Sequence, residues 1–148
     1  MLPTRHVCQW VLLPLAPRFV VALLLLVASH APSEVSASPE WYLLDGNNHA
    51  KVYLDRETIS RTGDVVKVWV LDDLKTPHTR GFNSFSSVRA LEEHDCVKER
   101  FRLLALEQFA GNMGTGDSIY KKSGESGWSP IPRGTMAQSV WKFVCEKK

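Results

Sequence analysis

Chemistry in this 148-residue chain would have to come from a few side chains: the cysteines Cys8, Cys96 and Cys145, and the three of its five histidines that lie beyond position 37, His49, His78 and His94. His94-Asp95-Cys96 sets three metal-capable groups together, but no second ligand pair at a zinc-like spacing surrounds it. A thiol nucleophile would need Cys96 or Cys145 free beside a histidine base. A serine nucleophile on a sharp strand-to-helix turn needs Gly-x-Ser-x-Gly, and Ser123–Trp128, "SGESGW", has the wrong order. Gly111–Asp117, "GNMGTGD", looks like a phosphate loop until its end. A lysine belongs after the last glycine, and Asp117 stands there and would repel phosphate. These stretches read as solvated histidines and a hairpin turn. The sequence predicts no catalytic residues, no metal site and no enzyme.

The cysteines have a simpler use. Arg5, His6 and Arg18 precede an apolar block, "FVVALLLLVA", and small residues follow it, the layout of a secretory leader. A spanning helix needs about 20 apolar residues, and Pro14, Pro17 and Arg18 interrupt any longer run. A retained anchor is the weaker alternative. Cleavage fits after Ala31 or Ala37. Pro32 disfavours the first, so positions 1–37 are read as signal peptide and 38–148 as a single exported domain. Cys8 falls in the leader, and no cysteine follows the apolar block to take a lipid. In an oxidising compartment the remaining two, Cys96 and Cys145, are expected to form a disulfide. Closing a loop of that length stabilises a fold by about 4 kcal/mol in the chain-entropy picture.

The elements that must position them are mostly strands. "EWYLLD" and "AKVYLD" are short β-rich runs around the turn "GNNH". "DRETISRTGD" is polar, with one helical turn expected at Asp55–Ile59 and a turn at Thr62–Asp64. In "VVKVWVLDDL", Val66, Val68 and Val70 face one way and Val65, Trp69 and Leu71 the other, so both faces are apolar and the strand is central. "KTPHTRGFNSFSS" reads as an irregular link and "SVRALEEHD" as strand. Along "CVKERFRLLALEQF", Val97, Phe101, Leu103 and Ala105 alternate with Cys96, Lys98, Arg100, Arg102, Leu104 and Leu106. "IYKKSGESGWSPIP" is a ragged edge strand and loop.

After Gly134 and the N-cap candidate Thr135 the period changes. Met136, Val140, Phe143 and Val144, widened by Ala137 and Trp141, form a helical stripe of about three turns, with Lys147 and Lys148 at its negative end. Such a short helix needs a sheet beneath it. The fold class is therefore α+β: an antiparallel β-sheet with a C-terminal α-helix packed on it and tethered by a disulfide. One conflict remains. Lys98, Arg100 and Arg102 share the Cys96 face on which the helix would lie, unless the helix stops short of them or a bulge intervenes.

Two of the 18 basic residues and one of the 16 acidic residues belong to the leader, so the domain is close to neutral, which argues against nucleic acid as partner. Trp69 and Trp141 are expected in the core, and Trp41 and Trp128 as exposed contact residues. Arg89, Lys98, Arg100 and Arg102, with Phe101 among them, are the candidate partner-binding residues. Their alternative is a solvated face paired with Glu92, Glu93 and Glu99.

These residues, in order, resemble the surface-adhesin protein E family: Trp41, Val52–Asp55 ("VYLD"), Val66–Leu71 ("VKVWVL"), Ser87–Leu104, Met113–Gly116 ("MGTG"), Trp128–Gly134 and Trp141–Cys145 ("WKFVC"). The resemblance implies an antiparallel sheet with its C-terminal helix held by the cysteine pair. It implies binding of vitronectin, laminin and plasminogen, through a segment here spanning Gly81 to Ala105 with Arg89 matched directly. Haem binding and homodimers are further implications. Family adhesins are lipoproteins, and this chain lacks the acylated cysteine. Glu92, Glu93, Asp95 and Glu99 also dilute the basic segment. The expectation is an exported, non-enzymatic binding domain in the periplasm or at the surface of a Gram-negative cell. The alternative is a periplasmic small-ligand or haem carrier, with a tryptophan and His49 or His78 lining a groove.

Overall fold

The computed structural model describes residues 39–146. The expected leader with Cys8, and Lys147 and Lys148, lie outside them. Strands β1 (Trp41–Gly46), β2 (Ala50–Thr62), β3 (Val65–Arg80), β4 (Asn83–Asp95), β5 (Arg100–Phe109) and β6 (Ser118–Ser123) pair antiparallel in chain order. A two-residue β7 (Ser129–Pro130) joins the same edge of β5 as β6 does. Helix α1 (Met136–Glu146) closes the fold.

The hairpin turns follow from local chemistry. Thr62 pairs with Val65 and Arg80 with Asn83, so each loop is two residues, led by Gly63 (φ 58°) or Gly81 (φ 64°). A left-handed first position is cheap for glycine alone. The polar stretch expected to hold a helical turn at Asp55–Ile59 is part of β2. Its turn chemistry appears as a bulge between Asp55 and Ser60, where Asp55 Oδ1 accepts from Glu57 N–H at 3.2 Å and Thr58 Oγ1 donates to the Asp55 carbonyl at 2.7 Å. "KTPHTRGFNSFSS" is not an irregular link either: it extends β3 and β4 into a long hairpin. Pro77, which cannot donate to a ladder, lies at a register break between Asp73 and His78.

One side of the sheet carries the main core. Val52, Leu54, Val66, Val68 and Val70 pack against Val140 and Val144 of α1, with Leu44, Ile59, Met136, Phe143 and the cysteines around them. Thr135 Oγ1 accepts from Gln138 N–H at 3.4 Å, and Gln138 Oε1 accepts from Gly134 N–H at 2.8 Å, so the helix start is capped from both directions. At its other end Arg61 Nη2 donates to the Val144 and Cys145 carbonyls, placing a cation where the helix dipole is negative. Ser139 donates to Asp45 at 2.6 Å, and the Phe143 ring stacks on Tyr42 with centroids 5.7 Å apart. Cys96 and Cys145 are bonded, with Cα atoms 5.5 Å apart at a sequence separation of 49.

Cys96 is not in a strand. Asp95 pairs with Arg100, so Cys96–Glu99 is a turn. It is pinned by Cys96 N–H donating to the Asp64 carbonyl at 2.9 Å and by Lys98 N–H donating to Asp95 Oδ1 at 3.0 Å. This removes the conflict over the basic face: the disulfide leaves from the turn, and the arginines of β5 point away from α1. A bulge at Leu104 then reverses the alternation, since Glu92 pairs with Leu103 but Leu91 with Ala105. Ala105 thus shares a face with Arg100 and Arg102, not with Phe101 and Leu103 as simple alternation predicts.

The far side has its own smaller core. Leu71 and Ser87 are fully buried there, beside Phe109. The loop after β5 folds over them. Ser87 Oγ donates to the Gly111 carbonyl at 2.6 Å and accepts from Gly114 N–H at 2.9 Å, while Asp73 Oδ1 accepts from Met113 N–H at 2.7 Å and Asn112 Nδ2 at 2.9 Å. Those loop groups are committed inward, as a connection requires.

Candidate functional site

The turn and the start of β5 present the expected basic residues on the far face, against a partner that sequence had placed only loosely. The segment after β6 is laced to the β5 edge: Gly124 N–H donates to the Leu104 carbonyl at 2.9 Å, Ser126 N–H to Leu103 at 2.8 Å, and Ile131 N–H to Glu99 at 3.1 Å. This lacing sets the Trp128 ring against both arginines. The guanidinium carbons of Arg100 and Arg102 lie 4.6 and 4.7 Å from its centroid, within cation–π range.

Each arginine is also ion-paired. Arg100 Nε donates to Asp95 Oδ2 at 3.0 Å, and Arg102 donates to Glu93 at 2.7 Å and pairs with Glu125. Burial would raise the Asp95 carboxyl, but hydrogen bonds from Lys98 N–H and Arg100 outweigh it and hold it below the usual carboxylate range. Two of the three basic side chains gathered here are therefore neutralised within the fold. The turn beside it offers Val97, 68% exposed, and an exposed Lys98 for which no acidic partner occurs among the described residues.

Of the remaining candidates, Arg89 shares the face but stands apart, with the Leu91–Ala105 pair between it and Arg102. It donates to Glu107 at 2.8 Å and lies over Trp69 (5.2 Å) and Phe109 (5.5 Å), in a recess of about 210 Å3. Burial works to raise the Glu107 carboxyl. Hydrogen bonds from Lys121, Ser118 and Arg89 overcome it and bring the pKa to about 2. Phe101 is on the opposite face, stacked on His94 at 6.0 Å. The structure thus gathers Lys98, Arg100 and Arg102 and excludes Phe101.

The histidines divide. His49 and His78 are exposed, and His78 stacks on Phe85 at 5.6 Å. His94, expected to be solvated, is fully buried, with Nε2 2.9 Å from Glu92 Oε2. The recesses beside Trp41 and Trp69 contain no histidine. Among the described residues no group of three or more His, Cys, Asp or Glu side chains is placed to hold a metal ion, and no helix is long and apolar enough to cross a membrane.

An open antiparallel meander with one helix stapled over it, and an arginine–tryptophan platform on its outer face, defines a small α+β domain class. Residues 41–146 match the model of the family described as surface-adhesin protein E, and the chain belongs to that family. Its fold is similar to that of Haemophilus influenzae protein E in crystal form II, at 15% identity and a TM-score of 0.52, covering 74% of this chain and 94% of that one. It is similar to the Se-Met form at 14% identity and a TM-score of 0.51, covering 74% and 93%. Protein E from non-typeable Haemophilus influenzae gives 14% identity and 0.51, covering 78% and 80%. No curated protein matches the chain.

Proposed function

We propose that this chain is an exported, non-enzymatic adhesin-type domain that captures extracellular host proteins, of the vitronectin and laminin kind, through the face built by Lys98, Arg100, Arg102 and Trp128. Membership of the adhesin family supports the class of activity. The observation that carries the surface is the Trp128 ring held by two guanidinium groups beside the protruding Val97 and Lys98. Tryptophan and arginine dominate energetic hot spots at protein interfaces, because they bury large area with few freedoms to lose. Here both arginines are fixed before any partner arrives, which lowers the ordering cost of binding.

Solid-phase binding to immobilised vitronectin and laminin tests this, with plasminogen as a third ligand. Trp128→Ala should weaken capture about tenfold or more, as hot-spot truncations do, and Lys98→Ala less. Binding no greater than that of an unrelated exported protein would remove the proposal. Export itself predicts a mature N-terminus at Ser38 and a periplasmic or surface location. Sequencing that begins at Met1 would overturn that part.

A further inference from the structure

Helix α1 packs on β1, β2 and β4, and β5 and β6 extend the sheet beyond it. On that flank lies a groove of about 240 Å3, floored by Leu103 and Leu106, with Ala105 at its lining, and flanked by Arg80, Tyr120 and Lys122. It continues past Arg80, Gln108 and Tyr120 into a second recess of about 160 Å3. Leu103 to Gln108 is five residue steps of strand, a run of about 16 Å at the usual rise. The groove is thus long and narrow, each of its two parts below the roughly 300–1,000 Å3 of drug-sized pockets.

Its charge is one-sided. Neither recess is lined by a carboxylate. Among the described residues Arg80 and Lys122 have no acidic partner, although Arg80 lies over the Tyr120 ring at 5.0 Å. The neighbouring Lys121 makes the contrast, since it faces the other way and pairs with Glu107 at 2.9 Å. Unlike the arginines beside Trp128, which the fold neutralises, these two cations stand over half-buried leucines with nothing to answer them.

The geometry points to a binding site for a small amphiphilic anion, a carboxylate with a medium-length hydrocarbon tail. The carboxylate sits between Arg80 and Lys122, and the tail lies along Leu103 and Leu106 with the Tyr120 ring as a wall. This site is separate from the proposed protein-binding face and does not depend on it.

Sodium decanoate titrated into the exported, 15N-labelled protein, followed by amide shifts, tests it. Decanoate should shift Leu106, Tyr120 and Lys122 saturably, and decan-1-ol, with the same tail but no charge, should bind at least tenfold more weakly. Each methylene removed should weaken binding by up to about fourfold, the conversion of the usual transfer energy per buried CH2. Arg80→Ala with Lys122→Ala should erase the preference for decanoate over decanol while leaving the melting temperature in place. Leu106→Glu, which puts a carboxylate in the floor, should abolish decanoate binding. Equal affinity for decanoate and decanol in the unmodified protein, shifts scattered away from β5 and β6, or unchanged decanoate binding in either variant would overturn the assignment.

Discussion

The two faces of this sheet are held by different physics. Beneath α1, valines and leucines from adjacent strands exclude water and a disulfide fixes the lid. On the far face, half-exposed arginines are paired with Glu93, Asp95 and Glu107 and laid over aromatic rings. Apolar burial is indifferent to salt and pH and has no directional preference. Ion pairs are directional and titratable, and at the surface each contributes little stability. The first face therefore makes the molecule stable, and the second can be specialised for recognition at small cost.

Breaking the lid should cost most. Cys145→Ser is expected to lower unfolding free energy by about 4 kcal/mol, read from urea midpoints under non-reducing conditions; a loss below about 1 kcal/mol would mean the helix holds without its staple. Leu54→Ala, deep under α1, should cost about 3 kcal/mol, within the range for buried leucines. That loss should be the same in low and high salt.

Across the sheet, Glu107→Gln should cost about 2 kcal/mol at pH 7, typical of hydrogen bonds to a charged group. Its pH signature sharpens the contrast. With the folded pKa brought down to about 2 from an ordinary 4.5, the stabilisation is full above 4.5 and disappears as pH falls towards 2. The variant's acid limb should be flatter. Asp72, on the α1 side, runs the other way. Burial and then the nearby Glu92 raise its pKa to about 7. The native state keeps a proton the unfolded chain gives up, so stability is lost as pH climbs from about 4 to about 7. Asp72→Asn should match the parent near pH 4 and exceed it at pH 8 by about 1 kcal/mol, the low end for an unfavourably buried polar group. Parallel curves for parent and variant would mean Asp72 is not buried as its charge state requires. Smallest of all, Trp128→Ala should change stability by under about 1 kcal/mol, in line with the cation–π contacts it removes, while its effect on partner capture is large.

What the sequence revealed tracks where local patterning was enforced by burial. Val66, Val68 and Val70 alternate because one face must be dry, and Val140 and Val144 recur at helical spacing for the same reason. With Cys8 read into an expected leader and two cysteines left, the pairing of Cys96 with Cys145 needed no geometry. The extension of β3 and β4 through Pro77 and Gly81 was hidden, because its tip, Lys75–Ser84, is exposed and needs no apolar period. The parity switch at Leu104 was equally silent: a bulge is fixed by the partner strand. It moves Ala105, which simple alternation puts with Phe101 and Leu103, to the side of Arg100 and Arg102. Trp128 was legible as an aromatic residue in a weak segment, but its seat on Arg100 and Arg102 depends on a loop returning to β5 from more than twenty residues away.

Because strand order in the sheet equals order in the chain, each hairpin can zip onto its predecessor as soon as it emerges, and such short-range closures are fast. The helix has no neighbour of that kind. It must travel back across the finished meander to the Cys96 turn, and thiol oxidation takes seconds to hours. Assembly thus separates into a rapid laying down of ribs and a slow latching step, and in the interval Val52, Val66 and Val68 stand open to water. The rate at which a cell supplies oxidising equivalents, rather than the intrinsic speed of the polypeptide, would then set how long that sticky surface must be chaperoned.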